Sequence, residues 1–338
     1  MKRLFLSILG IGLIFQLSAQ TARKLESAID EVFGQYENKP GCAVAIVRKG
    51  ETVFKKGYGL ANLAYEVPVT TSTVFDAAQV SKQVTAACIF MLVQEGLLKL
   101  DDPVQKFIPE ITTPGSDRVT ITNLLQHTSG FRSYYATMYA KNEHWGDSHD
   151  NEDAITTLAR HQKLNFTPGT RHYYNSINYI LLGSVVARVS GQSLASYAKE
   201  KLFDPLGMKD TFYKDDKDQV VKNVAIGYQP DGDVFKELHH YNTTIVGDAG
   251  LHTTIDDFIK WSNNLETGSV GGEAITKDLI RPGQLSDGRI IQYAGGIYNG
   301  NHQDIVGLPR LAHRGYWAGF HNLYYKFLNQ DVAFIIFS

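Results

Sequence analysis

Cysteine is scarce in this chain: 338 residues carry only Cys42 and Cys88. Two thiols allow one bridge at most, which excludes a disulfide scaffold. One lies in a strand-like run and the other in a helix-like run, so both read as small buried hydrophobes. An excess of either charge is also missing, since 33 Lys and Arg against 35 Asp and Glu leave a formal net charge of −2. The basic residues are scattered, so no electrostatic footprint for nucleic acid exists. No G-x-S-x-G is present, which argues against the nucleophile elbow of an α/β-hydrolase. No H-E-x-x-H occurs, His144 and His149 are five apart, and His239-His240 beside Tyr241 is not a ligand spacing on helix or strand. There is no Gly-rich phosphate loop. Neither a metal nor a cofactor is expected. Beyond the first twenty residues no apolar run reaches the roughly 20 residues a membrane span needs.

The first twenty residues differ from the rest. Lys2 and Arg3 are followed by an almost wholly apolar Leu4 to Leu17 and then by the small residues Ser18-Ala19. This pattern is that of a secretory leader. The rival reading is a membrane anchor, but the apolar run is short for one. Cleavage near Ala19 is expected, leaving a secreted or periplasmic protein with no transmembrane segment.

With 43% hydrophobic and 20% charged residues, the remainder has the composition of an ordinary globular protein. Arg23 to Tyr36 has helical apolar spacing. Cys42 to Val47 reads as a buried strand, Lys49-Gly50 as a turn and Thr52 to Gly59 as the returning strand. Lys82 to Leu98, Ile121 to Leu125, Asn151 to Arg160 and Asn178 to Ser190 read as helices. Asp101-Asp102-Pro103 reads as one more helix start, as does Asp256 to Trp261. Strand-type runs return at Arg289 to Tyr298, Arg310 to His313, Asn322 to Leu328 and Asp331 to Ser338. Strands at both ends and helices between predict an α+β architecture. The expectation is one domain over residues 20–338. It would have an α/β lobe of about 20–75 and 245–338, a helical lobe of about 76–244, and a ligand cleft between them. Eighteen Tyr and seventeen Phe would suit a cleft for a peptide-like or ring-bearing ligand, although core and strand positions are their ordinary place.

Five blocks carry the chemistry. The first is Phe75-Asp76-Ala77-Ala78-Gln79-Val80-Ser81-Lys82, continuing to Leu97-Leu98-Lys99-Leu100-Asp101-Asp102-Pro103. The second is Leu124-Leu125-Gln126-His127-Thr128-Ser129-Gly130, and the third runs from Pro168 through Tyr173-Tyr174-Asn175-Ser176 to Gly183. Gly247-Asp248-Ala249-Gly250-Leu251 and His313-Arg314-Gly315-Tyr316-Trp317-Ala318-Gly319-Phe320 complete the set. In order and content the five resemble the S-x-x-K, LL-x-H-T-S-G, Y-x-N, A-G-G-L and H-x-G blocks of the penicillin-recognising serine hydrolases. That family comprises class C β-lactamases, D-Ala-D-Ala carboxypeptidases and related esterases.

The resemblance implies the serine β-lactamase/penicillin-binding-protein-like fold: an antiparallel sheet flanked by helices, plus a mainly helical lobe. It implies a small-molecule or peptide ligand in the cleft. Lys82 would be the proton acceptor and Tyr174 its relay to the leaving group. Ser176 stands where the family has the Asn of Y-x-N, and His313, Gly315 and Tyr316 would lie on the strand facing the substrate. The backbone N–H groups of residues 79 and 316 would form the oxyanion hole. The serine position itself is Gln79. A glutamine amide is not a useful nucleophile, and its longer side chain would enter the space of the substrate carbonyl. Ser81 matches the family's second, non-nucleophilic Ser and does not share a face with its neighbour Lys82. His127 with Ser129-Gly130 reads as a structural turn. Lys82, Tyr174 and His313 also have ordinary readings, as a surface lysine, a core tyrosine and a structural histidine.

Three functions stay open at this point: a catalytically impaired protein that binds a D-amino-acid peptide or cell-wall fragment, a hydrolase of amide or ester bonds that tolerates Gln79, and an assembly protein reusing the fold. In the family a final helix follows the last strands, whereas this sequence stops at Phe334-Ile335-Ile336-Phe337-Ser338. The expectation is either a fragment or a sheet face without that cover.

Overall fold

The computed structural model describes residues 20–143, 147–238, 243–300 and 308–338. The expected leader, His144, His239, His240 and Tyr241 lie outside the described residues.

The fold is built on a six-stranded sheet. Its strands are β1 (Cys42–Arg48), β2 (Glu51–Tyr58), β3 (Tyr298–Gly300), β4 (Arg310–Trp317), β5 (Phe320–Phe327) and β6 (Val332–Phe337), in the spatial order β3-β4-β5-β6-β1-β2. Every neighbouring pair is antiparallel. Lys49 and Gly50 close the first hairpin with φ of 51° and 74°, the two positive values that match the right-handed twist of the strands. β1 is a continuous apolar run because both faces of the sheet are covered. Ala43, Ala45 and Val47 enter the main core. Cys42, Val44 and Ile46 form an outer cluster with Ile29, Leu25 and Phe33, contributed by helix α1 over residues 20–33. Both thiols are free and buried, in different clusters.

The inner face carries helix α4 (Ile255–Thr267). Its Phe258 ring sits 5.2 Å from Phe337 and 5.5 Å from Tyr324, both edge to face. Helix α2 (Lys82–Gln94) is buried from Lys82 to Leu92, as expected of a helix apolar on all sides. It packs on helix α3 (Ile177–Ser190). Among the described residues no helix is long and apolar enough to cross a membrane.

Three element expectations change. The strand expected over Arg289 to Tyr298 is broken into Ile290–Ile291 and β3. Gly296 (φ 78°) turns the chain against the first residue of α2, where a Cβ would lie 2.4 Å from the Lys82 carbonyl carbon. Asp101-Asp102-Pro103 starts no α-helix. Asp102 instead accepts the Lys99 N–H and pairs with Lys106, and only a 3-10 turn, Val104–Lys106, follows. The strand expected to stop at His313 runs on to Trp317.

Candidate active site

The site begins at a strained turn. Ala78 has φ +49°, unusual for a residue with a Cβ, and its N–H is held by Asp76 Oδ1 at 2.7 Å. A 3-10 turn, Ala78–Ser81, then leads directly into α2. That geometry sets Gln79 at the cleft and Lys82, three residues later, at the helix start beneath it.

Lys82 is fully buried. Its Nζ donates to the Asp248 carbonyl at 2.7 Å and lies 3.9 Å from the Asp248 carboxylate. The ammonium also sits 5.2 Å from the Tyr174 ring centroid and 5.7 Å from that of Tyr179. Burial pushes the amine down to about 8, opposed by Asp248. Burial pushes the Asp248 carboxyl up, and Lys82 and the Ser176 hydroxyl pull it back. Tyr174 packs against the rings of His127, Tyr293 and His313, and burial raises its phenol well above the ordinary range.

The two histidines are structural in their hydrogen bonding. His127 Nδ1 accepts from the Asn175 N–H at 3.2 Å and from Asn178 Nδ2 at 2.9 Å, which places its proton on Nε2. Ser129 Oγ donates to Asn178 Oδ1 at 2.6 Å. This segment therefore anchors the start of α3, and with it Tyr174 and Ser176. His313 Nδ1 donates to the Arg314 carbonyl at 2.8 Å, and Nε2 accepts from the Tyr293 hydroxyl at 3.3 Å. Burial and the nearby Lys82 push His313 down to about 3, so it is neutral across the physiological range.

Strand β4 closes the other side. The Tyr316 N–H donates to Gln79 Oε1 at 2.7 Å. Gly315 does not line the cleft; a Cβ there would lie 2.6 Å from the Ala77 carbonyl oxygen, so its role is to let β4 rest on the Ala78 turn. The resulting cleft of about 320 Å³ is lined by Gln79, Tyr174, Ser176, His313 and Tyr316, together with Tyr298 and Arg314. Lys82 lies behind this surface. A more enclosed cavity of about 260 Å³, bordered by Asp76, Tyr135, Lys214 and Trp317, is lined by none of the expected site residues. No metal-holding cluster is present among the described residues.

The fold thus brings together Gln79, Lys82, Tyr174, Ser176, His313 and Tyr316 and assigns Gly315 to packing. Asp248, Tyr298 and Arg314 were not anticipated. An acidic residue between the glycines of Gly247-Asp248-Ala249-Gly250 was a visible signal, and Arg314 stands inside the His313-Arg314-Gly315 block; Tyr298 had no signal.

Comparison with known proteins agrees with this fold. The chain matches the family model described as Beta-lactamase over residues 29–336. It is 26% identical over 335 residues to penicillin-binding protein 4* of Bacillus subtilis (strain 168), covering 94% of this chain and 72% of that one. It is 25% identical over 281 residues to a D-aminopeptidase of Gluconobacter oxydans (strain 621H), covering 83% of this chain and 52% of the relative. The chain therefore spans about half the length of that D-aminopeptidase. Among solved structures, the octameric penicillin-binding protein homologue from Pyrococcus abyssi superposes with a TM-score of 0.79 at 26% identity, covering 93% of this chain and 72% of that one. The D-amino acid amidase of Ochrobactrum anthropi SV3 shares the fold, with a TM-score of 0.72 at 20% identity over 88% of this chain and 85% of its own. Matched over most of its length by the family model, and carrying the family's blocks around one cleft, the chain belongs to the β-lactamase-related serine hydrolase family.

Proposed function

We propose that this chain is an exported, catalytically impaired member of the family that binds a peptide or cell-wall fragment containing D-amino acids. The carrying observation is Gln79, which stands one turn before Lys82 with its amide oxygen on the Tyr316 N–H. An amide cannot be deprotonated by a lysine of pKa near 8 to give an acyl-enzyme. Ser81 does not replace it: its fully buried hydroxyl donates to the Ala78 carbonyl and accepts the Leu251 N–H. The rest of the set persists, with a desolvated Lys82 beside Tyr174 and a cleft open to solvent. The names of the relatives, a penicillin-binding protein and D-aminopeptidases, support the ligand class. The apolar Leu4–Leu17 run after Lys2 and Arg3 supports export to the periplasm or the medium.

The test is intact-mass spectrometry after incubation with a fluorescent penicillin and a fluorophosphonate, with Gln79→Ser run in parallel. The expected result is no mass gain for the natural protein and one acyl adduct on Gln79→Ser. An adduct on the natural protein would identify another nucleophile and make the chain an active hydrolase.

A further inference from the structure

The geometry points to Gln79 as a built-in stand-in for an acylated serine. In an acyl-serine the carbonyl carbon is two bonds from Cβ, through Oγ. In glutamine the amide carbon is also two bonds from Cβ, through Cγ. The match extends to placement: Oε1 accepts the Tyr316 N–H at 2.7 Å, the donor expected to hold a substrate carbonyl oxygen. The Gln79 side chain is half-buried at the cleft wall, so Nε2 stands where the substituent of an acyl group would leave the carbonyl.

Two properties hold this contact, which fills one of the two donors expected of the hole. The donor is fixed, because Gly315 seats β4 on the Ala77–Ala78 turn. The backbone that carries the acceptor is fixed as well, because the Ala78 N–H is tied to Asp76 Oδ1 at 2.7 Å and Val80 and Ser81 behind it are buried. The chain therefore rests in the shape of an acyl-enzyme. A ligand in this cleft lies beyond the amide, against Tyr174, Ser176, Tyr298 and His313, and does not place its own carbonyl on the Tyr316 N–H. Gln79 is thus a specificity-determining residue. It selects ligands that meet the site from the acceptor side and excludes those that need the hole. This inference rests on the assignment of Gln79 to the nucleophile position.

The experiment has two readouts on the natural protein, Gln79→Ala and Gln79→Gly. The first is amide hydrogen exchange at Tyr316. Protection in the natural protein, with exchange about fivefold to tenfold faster in both variants, is the expected result for loss of one hydrogen bond. The second is non-covalent titration with N-acetyl-D-alanine amide, whose carbonyl can take the vacated donor. Gln79→Gly is expected to bind it about tenfold more tightly than the natural protein. Equal exchange and equal affinity in all three would overturn the inference. If both readouts move as expected while the natural protein binds no D-amino-acid peptide, the occupied hole stands and the proposed binding function falls.

Discussion

Lys82 has been withdrawn wholly from water, and its nearest compensating charge is an equally buried carboxylate, Asp248. Removing one member of such a pair strands the other. Lys82→Met is therefore expected to cost about 3–5 kcal/mol in urea denaturation at pH 7, where the Lys82 amine is still mostly protonated. Lys82→Met combined with Asp248→Asn should recover much of that loss. The deficit of the single variant should shrink at acid pH, because burial already favours the protonated Asp248 and a neutral carboxyl needs no cation. A double variant as unstable as the single one would show that the two groups do not compensate each other. Residues were the most legible scale for Gln79, Lys82 and Tyr174, whose types and spacing mark them within short blocks. Asp248 was not legible as a partner. Its carbonyl meets Lys82 across 166 residues of chain, and no local spacing encodes such a contact.

Among the elements, β4 and the turn at Ala78 form one unit whose closeness depends on a missing side chain. Gly315→Ala would drive a Cβ to within 2.6 Å of the Ala77 carbonyl oxygen. The expected cost is about 1–3 kcal/mol for overpacking, with loss of Tyr316 amide protection as β4 lifts away. Gly34→Ala, which meets nothing within 4 Å, is the control and should be nearly neutral. Unchanged Tyr316 protection in Gly315→Ala would show that the strand has room to spare. Such close approaches explain which elements the sequence misplaced. Gly315 was read as a substrate contact because it stands inside a site block. At Arg289 to Tyr298 the adjacent Gly295-Gly296 is a local sign of a break, but nothing local reveals that Gly296 must pass beneath the start of α2. The hairpin of β1 and β2 was fully legible, since its apolar run and Lys49-Gly50 turn are local signals.

Over the whole molecule, the α+β class followed from strands at both ends of the chain, but the sheet order did not, because pairing between distant strands leaves no mark on either one. Its buried histidines set how the fold responds to acid. His313 is held near 3 and His127 well below the ordinary imidazole range, in both cases chiefly by burial. Below about pH 6.5 the unfolded chain binds protons at both positions that the native state refuses. Stability is therefore expected to fall as pH drops from 6.5 toward 3, by up to about 1.4 kcal/mol per pH unit for each histidine. Between pH 6 and 5 this precedes the loss of ion-paired carboxylates such as Asp30 and Glu110, whose lowered values act only in stronger acid. Urea midpoints across this range should show the slope, and His313→Gln should reduce it by about one proton; an unchanged slope would remove His313 from the account. The sheet order also fixes a timetable. Ala43 pairs with Phe337 and Arg48 with Val332, so β1 waits for a partner made long after it. At roughly 5–20 residues per second, that delay is on the order of 15–60 s. During that interval the first hairpin lacks one flank and the sheet cannot close, so the export proposed above would meet a chain that is still threadable.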